Sequence, residues 1–271
     1  MQAETMSSLS AYVDGVGLLG PGFNSWSHAV APLCDPATYV SQPTVLPAVT
    51  ALPTAERRRA GSVVKLALTV GFEAAARADV KPADLATVFA SSGADGRNCH
   101  EICEVLATGD RQLSPTRFHN SVHNAAAGYW GIASGAMTPC NVLSAFDASF
   151  AAGLLEALSQ VVANETKVLL LAYDTDYPQP LRAKRPLPDA FGVALVLAPA
   201  PGSRSLAKLA AELSDAPSER MSDSRLEELR ASIPAARSLP LLRCLAARDA
   251  RRVTVEYLEP TQLTLEITPC N

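Results

Sequence analysis

Apolar positions along this chain follow two patterns. Ala11–Leu19, Asp84–Ser91, Lys167–Asp174 and Phe191–Ala198 are short, nearly continuous apolar runs bounded by Gly, Pro or charged residues, the pattern of strands covered on both faces. Between them, Ser62–Asp79 carries Val63, Leu66, Ala67, Val70, Phe72, Ala74 and Ala75 as a broad helical stripe behind Arg57–Arg59. Ala148–Asn164 is an Ala/Leu-rich helix, and shorter helices are expected over Glu101–Thr108 and Ser121–Ala133, with a short strand at Asn141–Ala145. Strands alternating with helices predict a layered α/β fold. Gly20-Pro21-Gly22 closes the first strand as a turn, and residues 31–55, with Pro32, Pro36, Pro43, Pro47 and Pro53, read as an irregular loop. The pattern changes after residue 200. Asp215–Glu228 is polar, Leu239–Ala250 suggests a basic amphipathic helix, and Arg252–Leu258 and Gln262–Thr268 alternate on either side of Glu259-Pro260-Thr261. That alternation predicts a terminal β-hairpin with one buried face. One domain over 1–271 is expected, a core of 1–200 followed by a C-terminal extension, 201–271.

Composition narrows the class. A chain of 271 residues with 48% hydrophobic and 18% charged residues can bury a substantial core. Its net charge of −4 gives no electrostatic case for wholesale nucleic-acid binding. No apolar run of about 18 residues suggests a membrane span. The N-terminal segment to Leu19 lacks a basic region, and Asp14 and several Gly break its apolar run; it does not read as a signal peptide, which favours the cytoplasm. The six cysteines, Cys34, Cys99, Cys103, Cys140, Cys244 and Cys270, are scattered in a chain too large to need stapling and are expected to be reduced.

Candidate chemistry is sparse. Cys99-x3-Cys103 and His119-x3-His123, with His100 as a spare, mimic a zinc spacing. The segment between the pairs has no finger core and a large domain needs no zinc to fold, so no metal or cofactor is expected. Arg237, Arg243, Arg248, Arg251 and Arg252 form a basic cluster, either a solvated helix face or a dock for an acidic partner. Ser91-Ser92-Gly93 beside Asp95-Gly96 is a turn without the Gly spacing or the Lys of a phosphate loop. Asp147, at the start of the predicted helix Ala148–Asn164, reads as an N-cap worth about 1 kcal/mol. Asn124 reads as a backbone-bonding side chain, and Gly128 with Tyr129-Trp130 as close backbone packing beside a buried aromatic pair.

The segment Ser114–Leu155 resembles the nucleophile region of a β-ketoacyl synthase with the nucleophile missing. Asn124, Ala127 and Gly128 fall on the family's spacing, and Pro139 opens the strand Cys140–Ala145. Where the family presents a reactive Cys at a strand-to-helix elbow, this chain has Phe146, Asp147 and Ala148; a gapless alignment puts Asp147 at the Cys position, and a shift of one puts Phe146 there. The likeness runs from about Ala11 to Pro199. The family's second half, with its two catalytic His, is essentially absent, and His28, His100, His119 and His123 lie outside its His motifs. The resemblance implies a thiolase-like α/β/α fold, essentially the N-terminal half of a ketosynthase with a helix and hairpin tail. It further implies a non-catalytic chain length factor of the aryl polyene type, within type II fatty acid- or polyketide-like biosynthesis. Such a subunit forms a heterodimer with a catalytic β-ketoacyl synthase and transiently meets an acyl carrier protein. By the same resemblance, Cys140, Asn141, Val142, Leu143, Ser144 and Ala145 pair with the partner's strand, and Phe118, His119, Asn120, Val122, His123 and Asn124 line the interface toward the partner's acyl pocket. Phe146 and Phe150 either plug this subunit's vestigial tunnel or pack its core, and Phe118 either bounds the partner's chain or packs the interface. Two rivals remain: a stand-alone acyl-thioester transferase or hydrolase using Asp147 with His119 or His123, and a homodimeric scaffold that binds the carrier protein.

Overall fold

The computed structural model describes residues 9–109 and 111–271; the first eight residues of the N-terminal segment lie outside the described residues. In chain order the elements are β1 Leu9–Leu19, α1 Trp26–Cys34, α2 Thr54–Arg59, α3 Ser62–Arg77, β2 Ala86–Ala90, α4 Gly96–Ala107, α5 Pro115–His119, α6 Ala125–Ser134, β3 Cys140–Leu143 and α7 Ser149–Asn164. They continue with β4 Val168–Asp174, α8 Leu181–Lys184, β5 Phe191–Ala198, β6 Ala207–Ser214, α9 Ser224–Ser232, α10 Leu239–Ala247, β7 Arg251–Val255 and β8 Gln262–Pro269.

All eight strands form one sheet in the order β3-β2-β4-β5-β1-β6-β8-β7. β3, β2 and β4 are parallel; every other neighbouring pair is antiparallel. The apolar run of β4 is explained by cover on both faces. Val168, Leu170 and Ala172 join the buried cluster on one face, where α7 covers the strand, while Leu169 and Leu171 join the cluster on the other face under α3. A bulge between Val13 and Gly15 in β1 keeps Ala11, Val13, Val16 and Leu18 on the first face. It also turns Gly15 and Gly17 toward α3, where a Cβ would overlap the carbonyls of Ala74 and Val70. These glycines permit a close approach of α3 to β1.

The structure corrects several boundaries. The Pro-rich stretch 31–55 holds the end of α1 and the start of α2; Pro32 lies within α1, whose first turn is capped by Ser25 Oγ accepting from His28 N. The helix expected from Glu101 starts at Gly96 under a cap from Asp95. The one expected over Ser121–Ala133 begins only at Ala125, as α6, which ends at a left-handed Gly135, and the short α5 lies ahead of it at Pro115–His119. β6 was not anticipated, and α9 begins inside the polar stretch 215–228. The terminal hairpin is present, but β8 joins β6, so the tail extends the main sheet. Phe146–Asn164 is, contrary to expectation, long and apolar enough by length and composition to cross a membrane. In the fold α7 is a core helix, with Phe150, Leu154, Leu158 and Val161 buried against the sheet. All six cysteines are free.

Candidate elbow and interface groove

β3 is the edge strand beside β2. Thr87 N donates to Pro139 O at 3.0 Å and Ser91 N to Leu143 O at 3.3 Å. Parallel alternation therefore turns the backbone groups of Cys140 and Val142 outward from the sheet. Cys140 and Asn141 are exposed, and Val142 and Leu143 half-buried. After β3 the chain reverses sharply: Phe146 adopts φ +53° at the head of a 3-10 turn, Phe146–Ala148, that leads into α7. A left-handed, non-glycine residue between a strand and a helix is the geometry that presents a nucleophile in elbow-type enzymes. Here the tip carries a phenyl ring that is 62% exposed.

Asp147 does not cap α7. The N-cap is Ala148, without a side-chain bond, and Ser149 Oγ braces the turn by accepting from Ala145 N and donating to Phe146 O. The Asp147 carboxylate is held by two arginines instead: Arg185 Nη2 at 2.7 Å on Oδ1 and Arg237 Nη2 at 3.1 Å on Oδ2. Arg237 also pairs with Glu256 at 2.5 Å, and Glu256 with Arg230 at 3.0 Å, so an ion-pair chain runs from the elbow into the tail. Below it, Asp174 is fully buried, accepting from Ser92 N, Ser92 Oγ and Ala235 N at 2.9, 2.6 and 2.9 Å. Burial lifts its carboxyl to about 6 despite those donors. A cavity of about 160 Å³ beside Asp147 is lined by Arg185, Arg237, Pro186, Leu187 and Pro234 among others, and by no histidine. The pairing of Asp147 with His119 or His123 that a hydrolase requires is not formed.

The segment read as an interface forms a second feature. A groove of about 640 Å³ is lined by Pro115, Phe118, His119, Val122, Asn124, Gly128, Tyr129 and Ile132, mostly apolar. Phe118 is 67% exposed, and Met137, just before β3, 97%. Asn120 is buried, donating to Arg59 O at 2.9 Å and accepting from Tyr129 Oη at 3.2 Å. His123 lies with it in a small adjacent cavity. The backbone-bonding role expected of Asn124 therefore belongs to Asn120; among the described residues Asn124 makes no side-chain hydrogen bond and stands exposed at the start of α6. A Cβ on Gly128 would meet open space, so this glycine opens the groove rather than packing closely. Trp130 stacks on Phe72 at 4.9 Å, not on Tyr129. Phe150 is buried in the core. Asn141 Nδ2 donates to Glu156 at 2.8 Å.

Cys99 and Cys103 sit one turn apart on exposed α4, and burial followed by Cys103 raises the Cys99 thiol. Among the described residues, no three of His, Cys, Asp and Glu converge on a metal-sized point. The basic cluster is not one free face: Arg237 is held as above, Arg251 pairs with Glu219 at 2.7 Å, and Arg252 pairs with Glu212. The sequence alone did not single out Arg185, Glu256, Ile132 or Met137, nor the apolar residues of α4. Only Gly96 of α4 is buried, leaving Ile102, Val105 and Leu106 at the surface or half-covered.

The family model for the N-terminal domain of β-ketoacyl synthases matches residues 28–258. The chain belongs to that family. The match crosses residue 200, so the family's pattern includes most of the tail. No curated protein matches the sequence. Among solved structures, the fold resembles a chain of a ketosynthase in complex with its chain length factor from Xenorhabdus doucetiae (TM-score 0.72, 24% identity, 95% of this chain and 99% of that chain). It also resembles a chain of the ishigamide ketosynthase/chain length factor (0.74, 12%, 97% and 100%). A β-ketoacyl synthase from Burkholderia phymatum STM815 is less similar (0.57, 12%, 89% and 71%). At these identities the likeness establishes the thiolase-like ketosynthase fold, tail included.

Proposed function

We propose that this chain is a chain length factor: a ketosynthase-fold subunit without condensing activity of its own. It pairs with a catalytic β-ketoacyl synthase in the cytoplasm and shapes the partner's acyl tunnel in aryl polyene-type biosynthesis on carrier-bound chains. The observation that carries this reading is the elbow, a nucleophile-presenting turn whose strained tip is Phe146 and whose next residue is held by two arginines. A phenyl ring cannot form a thioester, and the arginines leave no general base beside Asp147. Phe146, rather than Asp147, takes the nucleophile's place, because the left-handed conformation falls on it.

Support for the partner comes from the surface. The β3 edge carries outward backbone groups that a second strand would satisfy, and an unpaired apolar edge is an aggregation hazard. The groove with Phe118, Val122 and Ile132 and the uncovered face of α4 flank that edge in sequence, and together they form the heterodimer face. Phe118 and Phe146 project toward the shared acyl path. The X. doucetiae and ishigamide neighbours come from ketosynthase–chain length factor complexes and match chains of nearly this length.

Native mass spectrometry on the tagged chain purified from its own host tests the reading. A one-to-one complex, or its dimer, with a ketosynthase carrying an intact Cys-His-His set is expected, and the isolated chain turns over no acyl thioester. A homodimer or monomer without such a partner, or thioester turnover abolished by Asp147→Asn, overturns it.

A further inference from the structure

One side chain sits on the exposed ring of Phe146. The Arg185 guanidinium carbon lies 3.8 Å from the ring centroid, and the same guanidinium reaches Asp147 Oδ1 at 2.7 Å, so Arg185 touches both residues at the tip. Its own position is fixed. The side chain is only 19% exposed; its backbone N–H donates to Leu181 O, and its carbonyl accepts from Leu187 N, both at 2.9 Å. Leu187 is anchored in the core. Arg237 takes the other oxygen of Asp147 and is itself held by Glu256, so the carboxylate is gripped from both sides. Phe146, by contrast, is largely exposed and lies outside both core clusters. Its ring is therefore directed from outside the elbow, by a group brought in from 39 positions along the chain.

We propose that Arg185 is a positioning residue. By lying over the ring of Phe146 while gripping Asp147, it fixes the direction in which the aromatic leaves the elbow, and with it the chain length at which the heterodimer releases product. This inference rests on the proposed function, in which Phe146 bounds the acyl path. The chemistry requires arginine. A planar guanidinium presents its face to a ring and its edge donors to a carboxylate at once, whereas a lysine ammonium offers a point charge that serves only one of them.

The test uses the heterodimer reconstituted with the ketosynthase that co-purifies with the chain. The proteins are labelled with 4-fluorophenylalanine, and the Phe146 resonance is assigned by its loss in Phe146→Leu. Arg185→Lys keeps the charge and the fold. It is expected to shift and sharpen the Phe146 fluorine signal and to move the major product by one elongation unit or more, while the complex still assembles. Arg182→Gln, which removes a neighbouring exposed charge, is expected to do neither. An unchanged fluorine signal in Arg185→Lys overturns the inference. So does an unchanged product when Phe146→Ala alters it, and in that case the chain-length reading survives. If neither Phe146→Ala nor Arg185→Lys alters the product, the reading of Phe146 as a tunnel wall fails and takes the inference with it.

Discussion

Asp174 links the core to the tail with a buried carboxyl group. Its three donors come from the end of β2 and from Ala235, so an amide in its place would turn an NH2 toward at least one N–H or O–H. At pH 4, Asp174→Asn is expected to cost roughly 1–3 kcal/mol, read by urea denaturation. The pH dependence has a definite sign. The folded carboxyl titrates at about 6, above its ordinary 3.8, chiefly because of burial. Between those values the native state holds a proton that the unfolded chain has released, so this group's stabilisation is complete below pH 4 and lost as pH rises to 6. The loss is about 3 kcal/mol, and the curve is flat above. The stability difference between wild type and Asp174→Asn should therefore shrink from pH 4 to pH 6; a difference that grows over that interval would mean the donors outweigh burial. At Phe146 the backbone, not the side chain, decides stability. Phe146→Gly and Phe146→Ala both lose the ring, but only glycine adopts φ +53° freely. Phe146→Gly is expected to exceed Phe146→Ala by roughly 1–2 kcal/mol, and equal melting of the two would show that the elbow relaxes once the ring is gone.

At the level of elements, β3 has one side bonded to β2 and the other open. Val142 points its N–H outward, so Val142→Pro removes no bond to β2 and disables the free edge. The isolated chain should lose about 1 kcal/mol, from the packing of a half-buried valine, while capture of the ketosynthase in a pull-down is lost. Retained capture would place the partner elsewhere than on this edge. The same element scale shows what the sequence made legible. β4, β5 and α7 announce themselves because each carries its whole apolar pattern locally, and β3 shows as a short apolar strand that the resemblance around Pro139 also marks. β6 was hidden: AKLAAELS is made of good helix formers, and it becomes a strand because β1 and β8 pair with it on both sides. α1 was hidden by Pro32. The role of Asp147 could not be read locally, because Arg185 and Arg237 lie 38 and 90 residues away and no periodicity links a carboxylate to so distant a cation. The cap reading of Asp147 failed for a related reason: the chain inserts a 3-10 turn between the elbow and α7, which moves the helix start beyond the reach of its side chain.

For the whole molecule, the question is whether residues 201–271 decorate a finished core or complete it. β1 lies between β5 and β6, so without the tail Leu9–Val13 becomes an open edge through the middle of the sheet. The tail also places thirteen Leu, Ile and Val side chains in the same buried cluster as α1, α7 and β4. At roughly 1.5–3 kcal/mol for each buried side chain, their combined contribution exceeds the 5–15 kcal/mol net stability of a typical domain. The ion pairs from Arg237, Glu256 and Arg230 and the Asp174–Ala235 bond then set the elbow from the tail's side. A chain ending at residue 200 is therefore expected to lack a cooperative thermal transition and to fail to capture the ketosynthase, even though it keeps β3, the groove and Phe146. A folded, partner-binding 1–200 fragment would show that the elbow and the edge strand stand without the tail, and that the arginine clamp on Asp147 is dispensable to the fold.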